Sequence, residues 1–279
     1  MLVEKNDDQL IRAILSSGVR IPPMPEVLHG LSTVLSDPDA GPRELAGLVA
    51  RDGALCGALF RLVASPVFGL RTKVDKVEKA ITLLGMRNAS AVVRCESLRG
   101  AFHDPAHGQA MEALWGRGSA VADFSVLALK TGHVRGIAPD LAFTLGMFHD
   151  CGLALLCKRT PAYAQALSRP GPWPDIAALD RDNQTDHAMI GQSVARNWLL
   201  PEEIVAAIRI HHQLASEDVP EPVARLCCLL NFACHLRNKR TQADDSEWEN
   251  GWRAKTARHL ELGDDDLADW EASVESLAA

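Results

Sequence analysis

Three clusters of histidine and aspartate are the residues of this chain whose types and spacing could do chemistry. Neighbouring side chains on a helix point about 100° apart. An adjacent histidine and aspartate therefore reach one metal ion only where a helix ends or where the ion lies over its flank. Mixed nitrogen and oxygen ligands favour a transition metal such as iron or manganese over calcium. The clusters, separated by 37 and 24 residues, are Phe148-His149-Asp150, Asp186-His187 and His211-His212.

Three interpretations of these clusters stay open at the level of the sequence. His149 and Asp150 could form a hydrogen-bonded pair at a helix end that is kept for packing. The set His149, Asp150, His187 and His211 could hold a weakly bound transition metal, or it could be the centre of a working hydrolase. Of the two adjacent histidines, His211 and His212, we expect one ring to cap the last carbonyls of a helix and the other to be solvated.

A second set of candidate ligands lies further along the chain, at Cys227, Cys228, Cys234 and His235. Neighbouring cysteines on a helix point to different faces, and the sequence contains no CxxC pair. We therefore expect buried thiols and not a zinc cluster. The basic run RNKR at 237–240 could contact a phosphate, but its composition favours a solvated linker.

Helical periodicity extends over nearly the whole chain, and no segment shows a convincing strand alternation. The sequence therefore predicts an all-α fold with short connections, arranged as a helical bundle. One long helix is expected at 109–131, weakened by Gly116 and Gly118, and another from Pro139 through Leu155. The run PGPWP at 170–174 predicts a rigid loop. Further helices are predicted at 10–15, 27–35, 42–49, 55–63, 77–84 after an Asp75 cap, 86–98, 187–198, 201–213, 221–236, 248–262 and 267–277.

Composition narrows the class of protein. The chain has 279 residues, of which 47% are hydrophobic, enough for a full core, and 23% are charged. No apolar run reaches the ~18 residues of a membrane anchor, and the charged N-terminus is unlike a signal peptide. Seven cysteines without regular spacing predict reduced thiols in the cytoplasm. A net charge of −7 disfavours nucleic-acid binding by bulk electrostatics.

The negative charge is concentrated at the C-terminus. Eleven carboxylates and only three lysines or arginines follow residue 243, so this tail carries −8 and the rest of the chain +1. The tail could dock on the body or serve as an interaction surface. Its tryptophans, Trp248, Trp252 and Trp270, supply apolar anchors and favour docking.

An ordered series of motifs in this chain resembles the HDOD domain, a relative of the HD-domain metal-dependent phosphohydrolases. The likeness covers about residues 20–236. The resemblance implies an N-terminal helical half packed on a degenerate HD-like half, and it implies a bacterial signalling protein. The motifs are IPPMPEV (21–27), LSDPDAGPRELAGLVARDGAL (35–55), LFRLVASPVFG (59–69), KAITLLGMRN (79–88), LW (114–115), FHDCGLALL (148–156) and DHAMIGQSVARNWLLPEEIVAAIRIHH (186–212).

The chain departs from the HD pattern at two ligand positions. The histidine expected before the His-Asp pair is replaced by Arg117, within LWGRGS. The late aspartate is absent, because the helix predicted at 223–236 contains no carboxylate and has Asn231 or Cys234 near that position. The Gly-Tyr-Pro run of cyclic-di-GMP phosphodiesterases is missing as well.

The resemblance and its departures predict a non-catalytic signal-transduction module, an HDOD output domain of the response-regulator type that acts through contacts with other signalling proteins. No catalytic residue, resident cofactor, nucleic acid or membrane partner is expected, whereas a homo-oligomer or a pure dimerisation scaffold stays open. The alternative is a metal-dependent phosphohydrolase acting on a nucleotide or cyclic dinucleotide. The residues of the expected vestigial site are Arg117, His149, Asp150, His187, His211 and His212.

The predicted organisation has three parts. Residues 1–20 form an N-terminal helix, and 21–236 form the HDOD domain, divided into halves at 21–105 and 106–236. Residues 237–279 form the acidic helical tail.

Arg117 gives the most specific expectation. A buried Asp150 without a metal needs a charged, hydrogen-bonded partner. We predict that Arg117 reaches the former metal site and engages Asp150 with two parallel hydrogen bonds. The alternative is that Gly116 and Gly118 loosen the helix and leave Arg117 in solvent.

Overall fold

The computed structural model describes residues 20–64, 74–213 and 219–278, and these residues form helices joined by turns and loops, with no β-strand among them. The all-α prediction is therefore confirmed. The helix predicted at 10–15 lies outside the described residues. The helices of the N-terminal half are α1 (Glu26–Ser36), α2 (Pro42–Val49), α3 (Gly53–Ala64), α4 (Val77–Leu84) and α5 (Met86–Ala101).

The remaining α-helices build the half of the fold that holds the histidines and the segment after it, together with a 3-10 turn at Pro105–His107 and a π-helical turn at Trp248–Trp252. Proline at the first turn begins three of them, as its fixed φ favours. They are α6 (Gly108–Lys130), α7 (Pro139–Phe148), α8 (Gly152–Arg159), α9 (Pro161–Ser168), α10 (Ile176–Asn183), α11 (His187–Asn197), α12 (Glu202–Ile210), α13 (Glu221–Thr241), α14 (Arg253–Leu260) and α15 (Asp264–Ala278).

Helices α6 and α7 cross at very short distance because glycine lies at the crossing. A Cβ atom at Gly118 would lie 2.6 Å from the carbonyl oxygen of Met147, and one at Gly146 would lie 2.5 Å from Cα of Ala122. Helix α6 is continuous through Gly116 and Gly118. The glycines therefore do not break this helix, and Gly118 permits the contact that brings α7 beside it.

Several predicted boundaries are wrong, and each has a local reason. The helix expected from Pro139 through Leu155 is two helices, because the chain turns at His149–Cys151. Gly152, at the start of α8, lies so close to α11 that a Cβ would be 2.0 Å from the carbonyl oxygen of His187. Asp75 does not cap α4, since Lys76 occupies that position. Helices α9 and α10, on either side of the PGPWP loop, were not predicted.

The acidic C-terminal segment, residues 244–278, is docked on the body as its tryptophans predict. Trp270 is fully buried, its ring stacks on Phe232 at a centroid distance of 3.7 Å, and its Nε1 donates to the carbonyl of Ala128. Trp248 and Trp252 are also buried. The segment is thus part of the core.

The expectation of a linker at 237–240 is wrong. Helix α13 continues to Thr241, so this basic run is helical. Its Lys239 and Arg240 are exposed, but Lys239 pairs with Glu271 and Glu275 of α15. The basic run therefore holds the acidic segment in place.

One stretch of the described chain, Pro139–Arg159, has the length and composition of a membrane-crossing helix, with a mean hydropathy of 1.3. Within this stretch, 83% of the most apolar window is buried inside the fold. Core helices of folded domains have the same property.

Candidate functional site

Asp150 lies at the centre of the candidate site, in the turn between α7 and α8, and it is 6% exposed. Its two carboxylate oxygens face different neighbours. Oδ2 lies 3.2 Å from Nε2 of His149 and 3.8 Å from Nε of Arg117. Oδ1 lies 3.4 Å from Nε2 of His187 and 3.5 Å from Nε2 of His211. The three predicted histidine–aspartate clusters therefore meet at one carboxylate.

His149 ends α7, and its backbone N–H still bonds the carbonyl of Leu145. Its Nδ1 is 2.9 Å from the carbonyl oxygen of Gly146, so Nδ1–H donates there and Nε2 is directed at Asp150. The helix ends at this residue, and the turn places both members of the His-Asp pair on the same side. This geometry removes the 100° divergence that a continuous helix would impose.

His187 is the first residue of α11, which Asp186 caps by accepting from the backbone N–H of Met189 at 2.9 Å. The Nδ1 of His187 lies 2.6 Å from Oδ2 of Asp180, and the same oxygen accepts from the backbone N–H of His187 at 3.0 Å. Tyr163 donates its hydroxyl to Asp180. Asp180 therefore fixes both the ring orientation and the tautomer of His187.

His211 and His212 follow α12 and differ in their surroundings. The Nδ1 of His211 donates to the carbonyl of Ile208 at 2.7 Å, which confirms that one ring caps the helix end. The other ring is partly solvated, with 30% of its side chain exposed, and it also has two polar neighbours. The Nδ1 of His212 lies 2.8 Å from Oε1 of Glu247, and its Nε2 lies 3.0 Å from Nε2 of His187.

Burial and charge set the protonation of the cluster. Burial opposes ionisation of Asp150, but the His149 charge and hydrogen bonds from the histidines outweigh it and hold the pKa of Asp150 well below its usual range. Burial lowers the pKa of His187, yet its bonds to Asp150 and Asp180 raise that pKa to about 9. Burial and the nearby His212 lower the pKa of His211 to about 3. His211 is therefore neutral at neutral pH.

Arg117 points into the site and is 9% exposed, so the alternative of a solvent-facing side chain is wrong. The expected pair of hydrogen bonds to Asp150 is wrong too. The guanidinium approaches within ion-pair distance, but its Nη1 donates to Oδ1 of Asn238 at 2.9 Å, and its Nε has no hydrogen-bond partner. Its Cζ lies 4.9 Å from the ring centroid of Trp173. Asn238 and Trp173 draw the guanidinium away from a parallel alignment with the carboxylate.

A cavity of about 300 Å³ opens beside Asp150 and carries a mixed lining of charges. Two arginines, Arg117 and Arg181, face it. Residues of the C-terminal segment, including Glu247, form part of its wall. The carboxylates of the lining are Asp150, Asp175, Asp244, Asp245 and Glu247.

The cysteines are free thiols, as predicted, and Cys227 and Cys228 are buried. Cys234 is partly exposed and lines the cavity. Asn231, one of the two residues near the missing aspartate position, donates to the carbonyls of His211 and Cys227. It therefore holds the chain at His211 and contributes no side-chain oxygen to the cluster by these bonds.

Four residues that the sequence analysis missed support the site: Asp180, Tyr163, Asn238 and Glu247. Asp180 lies in the unpredicted helix α10, and Asn238 lies in the run that was expected to be a linker. Glu247 was counted only as part of an acidic tail. Asp180 is seven residues from His187, and Glu247 is 35 residues from His212. At these separations no sequence pattern indicates that the carboxylate and the histidine are in contact.

The helical fold and the meeting of His149, Asp150, His187 and His211 define an all-α protein of the HD-like class. Residues 21–214 match the model of the HDOD domain. The chain belongs to the HDOD family.

The comparison with curated proteins gives one distant relative, an uncharacterised protein of Treponema pallidum (strain Nichols), 25% identical over 224 residues. The match covers 76% of this chain and 41% of that protein. The chain thus spans about two fifths of the length of this relative.

Solved structures share the fold over its whole length. An HDOD domain protein of unknown function from Geobacter sulfurreducens is 20% identical, with a TM-score of 0.64 and 99% of each chain covered. A protein of Shewanella amazonensis SB2B, provisionally named a metal-dependent phosphohydrolase, is 14% identical, with a TM-score of 0.69 and 99% of each chain covered. At these identities the likeness establishes the fold alone.

Proposed function

We propose that this chain is a regulatory module of bacterial signal transduction that acts through contacts with other proteins and does not turn over a substrate. The observation that carries the proposal is the position of Arg117. Its guanidinium lies beside Asp150 and is held by Asn238 and the ring of Trp173. A fixed cation here takes the place at which the resemblance expects a metal-binding histidine.

The charges of the cavity support the same proposal. The five carboxylates of its lining outnumber the two arginines and the charged His149, so a phosphate ester approaching Asp150 meets an excess of negative charge in a site of reduced dielectric. Phosphoryl transfer depends on cations that neutralise the charge developing on the phosphoryl oxygens. Cytoplasmic localisation and protein partners, with neither nucleic acid nor membrane, complete the proposal.

The test is a search for turnover by the purified protein. Phosphatase and phosphodiesterase activity would be measured on p-nitrophenyl phosphate, its bis ester, nucleotides and cyclic dinucleotides, with Mn²⁺, Fe²⁺ or no metal. We expect rates equal to those of Asp150→Ala. Turnover by the natural chain that disappears in Asp150→Ala would overturn the proposal.

The second candidate is a metal-dependent phosphohydrolase acting on a nucleotide or cyclic dinucleotide. One observation favours it: the donor atoms of Asp150, His187, His211 and His212 all lie within 4.8 Å of one another. The same assay distinguishes the two candidates, because only this one requires turnover.

A further inference from the structure

We infer that Asp150, His187, His211 and His212 bind one divalent transition-metal ion, and that Glu247 couples this site to the C-terminal segment. The inference goes beyond the proposed function and does not depend on turnover. It also changes the ligand set that the sequence suggested, because His212 takes the place of His149.

The spacing of the donor atoms suits a single ion. The Nε2 atoms of His187 and His212 are 3.0 Å apart, and Oδ1 of Asp150 lies 3.4 Å from His187 and 3.5 Å from His211. Ligands at about 2.0–2.1 Å from one ion are separated by roughly 3.0–3.4 Å at tetrahedral to octahedral angles. These three pairs have the required spacing, and all donor atoms lie within 4.8 Å of one another, so the wider pairs would close by side-chain rotation to share an ion.

The Nδ1 hydrogen bonds of the three rings direct their Nε2 atoms inward, and a metal ion would displace the proton that His187 holds on Nε2 in its absence. Each Nδ1 has an acceptor: Asp180 for His187, the carbonyl of Ile208 for His211, and Glu247 for His212. Histidine ligands of protein-bound metals show this same arrangement, in which the outer nitrogen donates to a carboxylate or carbonyl. All three rings are therefore already held in the orientation that metal binding requires.

His211 provides an independent sign that a cation is needed. Its Nε2 is buried without a hydrogen-bond partner and lies 3.5 Å from Oδ1 of Asp150, which is itself an acceptor. Two acceptors facing each other at 3.5 Å repel unless a proton or a metal ion lies between or beside them. A buried polar atom of this kind calls for such a partner.

The two carboxylate oxygens of Asp150 have different neighbours, and this is why Arg117 and a metal ion can both be accommodated. Arg117 and His149 both lie against Oδ2, whereas His187 and His211 lie against Oδ1. Arg117 therefore compensates one oxygen and leaves the other for an ion. Three imidazole nitrogens and one carboxylate oxygen suit zinc, iron, cobalt or manganese better than calcium or magnesium.

Glu247 links the site to the C-terminal segment. It belongs to the stretch that begins this segment, whose Asp245 bonds His235 and whose Trp248 ring stacks on His235 at 4.6 Å. Because Glu247 orients a ligand ring, metal binding and docking of residues 244–248 strengthen each other, and this coupling is reciprocal by thermodynamic necessity.

The experiment uses the full chain after removal of metals with a chelator. Binding of Zn²⁺ and Co²⁺ would be followed by calorimetry, by elemental analysis and by the visible absorption of bound Co²⁺. The variants are His212→Gln and Glu247→Gln, with Glu249→Gln as the matched control because Glu249 is an exposed carboxylate two residues further along. Circular dichroism verifies that each variant is folded.

We expect one metal per chain, a loss of binding of 100-fold or more in His212→Gln, and a 10–100-fold loss in Glu247→Gln, the range typical of outer-shell partners. Glu249→Gln should bind like the natural chain. Failure to bind one equivalent, or equal binding by His212→Gln, would overturn the metal site. Equal affinities of Glu247→Gln and Glu249→Gln would overturn the coupling.

The reciprocal effect is measured by hydrogen exchange. Metal should slow exchange at residues 244–252 in the natural chain and in Glu249→Gln, but much less in Glu247→Gln. Exchange that is indifferent to metal in every variant would contradict the coupling. Metal binding without turnover supports both this inference and the proposed function, whereas metal-dependent turnover would overturn only the latter.

Discussion

The environment of Arg117 determines what this side chain contributes to stability. It has one hydrogen bond to Asn238, a ring contact with Trp173 and a 3.8 Å approach to Asp150, but no hydrogen bond to that carboxylate. Compensation of Asp150 is therefore shared between Arg117 and the closer His149.

We predict that Arg117→Ala lowers the free energy of unfolding by about 1–3 kcal/mol, less than the loss of a fully hydrogen-bonded buried ion pair. Chemical denaturation of the natural chain and of the variant would measure this difference in the free energy of unfolding. Arg181→Ala is the control, because Arg181 lines the same cavity but is exposed. Equal losses in the two variants would contradict the role assigned to Arg117.

Asp123, on α6, gives a pH-dependent prediction away from the site. Burial raises the pKa of this carboxyl to about 6. The folded state then holds the proton more tightly than the unfolded state, in which the pKa is about 3.9. The resulting stabilisation is complete below about pH 4 and is lost as the pH rises through about 6.

We therefore expect Asp123→Asn to equal the natural chain in stability near pH 4 and to exceed it at pH 8 by about 1–3 kcal/mol. Thermal unfolding at a series of pH values would show this. Asp269→Asn, a change at an exposed carboxylate of α15, should show no such pH dependence. A constant difference from pH 4 to pH 8 would refute the prediction.

At the scale of elements, the crossing of α6 and α7 positions Asp150 relative to Arg117. A Cβ at Gly118 would lie 2.6 Å from the Met147 carbonyl, whereas nothing lies within 4 Å of a Cβ at Gly116 in the same helix. The atoms in the way belong to the backbone of α7, which cannot move aside as the end of a flexible side chain can.

Gly118→Ala should therefore destabilise the protein by about 1–3 kcal/mol through overpacking. Gly116→Ala should be neutral or stabilising by up to about 1 kcal/mol, because alanine favours a helix interior. Denaturant unfolding of both variants makes the comparison. Similar effects of the two changes would show that the crossing is looser than the structure indicates.

Sequence patterns predicted the longer amphipathic helices well but missed the short helices α9 and α10, which bury only one or two residues each, and they misplaced a boundary where the chain is buried on most sides. The run from Pro139 to Leu155 is apolar on most sides, so its periodicity does not reveal the turn at His149–Cys151. That turn depends on Gly152 packing against the backbone of α11, a tertiary contact. The site histidines were found through motif order, but Asp180 and Glu247 are neighbours only after folding.

At the scale of the whole molecule, the C-terminal segment is structurally continuous with the body. Trp270 stacks on Phe232 of α13 and bonds Ala128 of α6, so it joins α15 to two helices. The acidic charge that distinguishes this segment in the sequence lies on a surface that α13 partly neutralises through Lys239.

We predict that Trp270→Ala lowers the free energy of unfolding by about 3–5 kcal/mol, as expected for loss of a buried aromatic side chain. Leu277→Ala, in the same helix at 48% exposure, should change it by less than about 0.5 kcal/mol. Equilibrium denaturation followed by circular dichroism would test both. A small effect of Trp270→Ala would mean that the segment unfolds independently of the body.

Tyr163 is the only tyrosine of the chain, and its hydroxyl bonds the same Asp180 that holds His187. Burial raises the pKa of this phenol above its ordinary value. Selective isotopic labelling of tyrosine would thus give a nuclear magnetic resonance signal, with no assignment problem, from a group two hydrogen bonds away from His187. Each molecule therefore contains one natural spectroscopic probe, and it contacts the residue that orients His187.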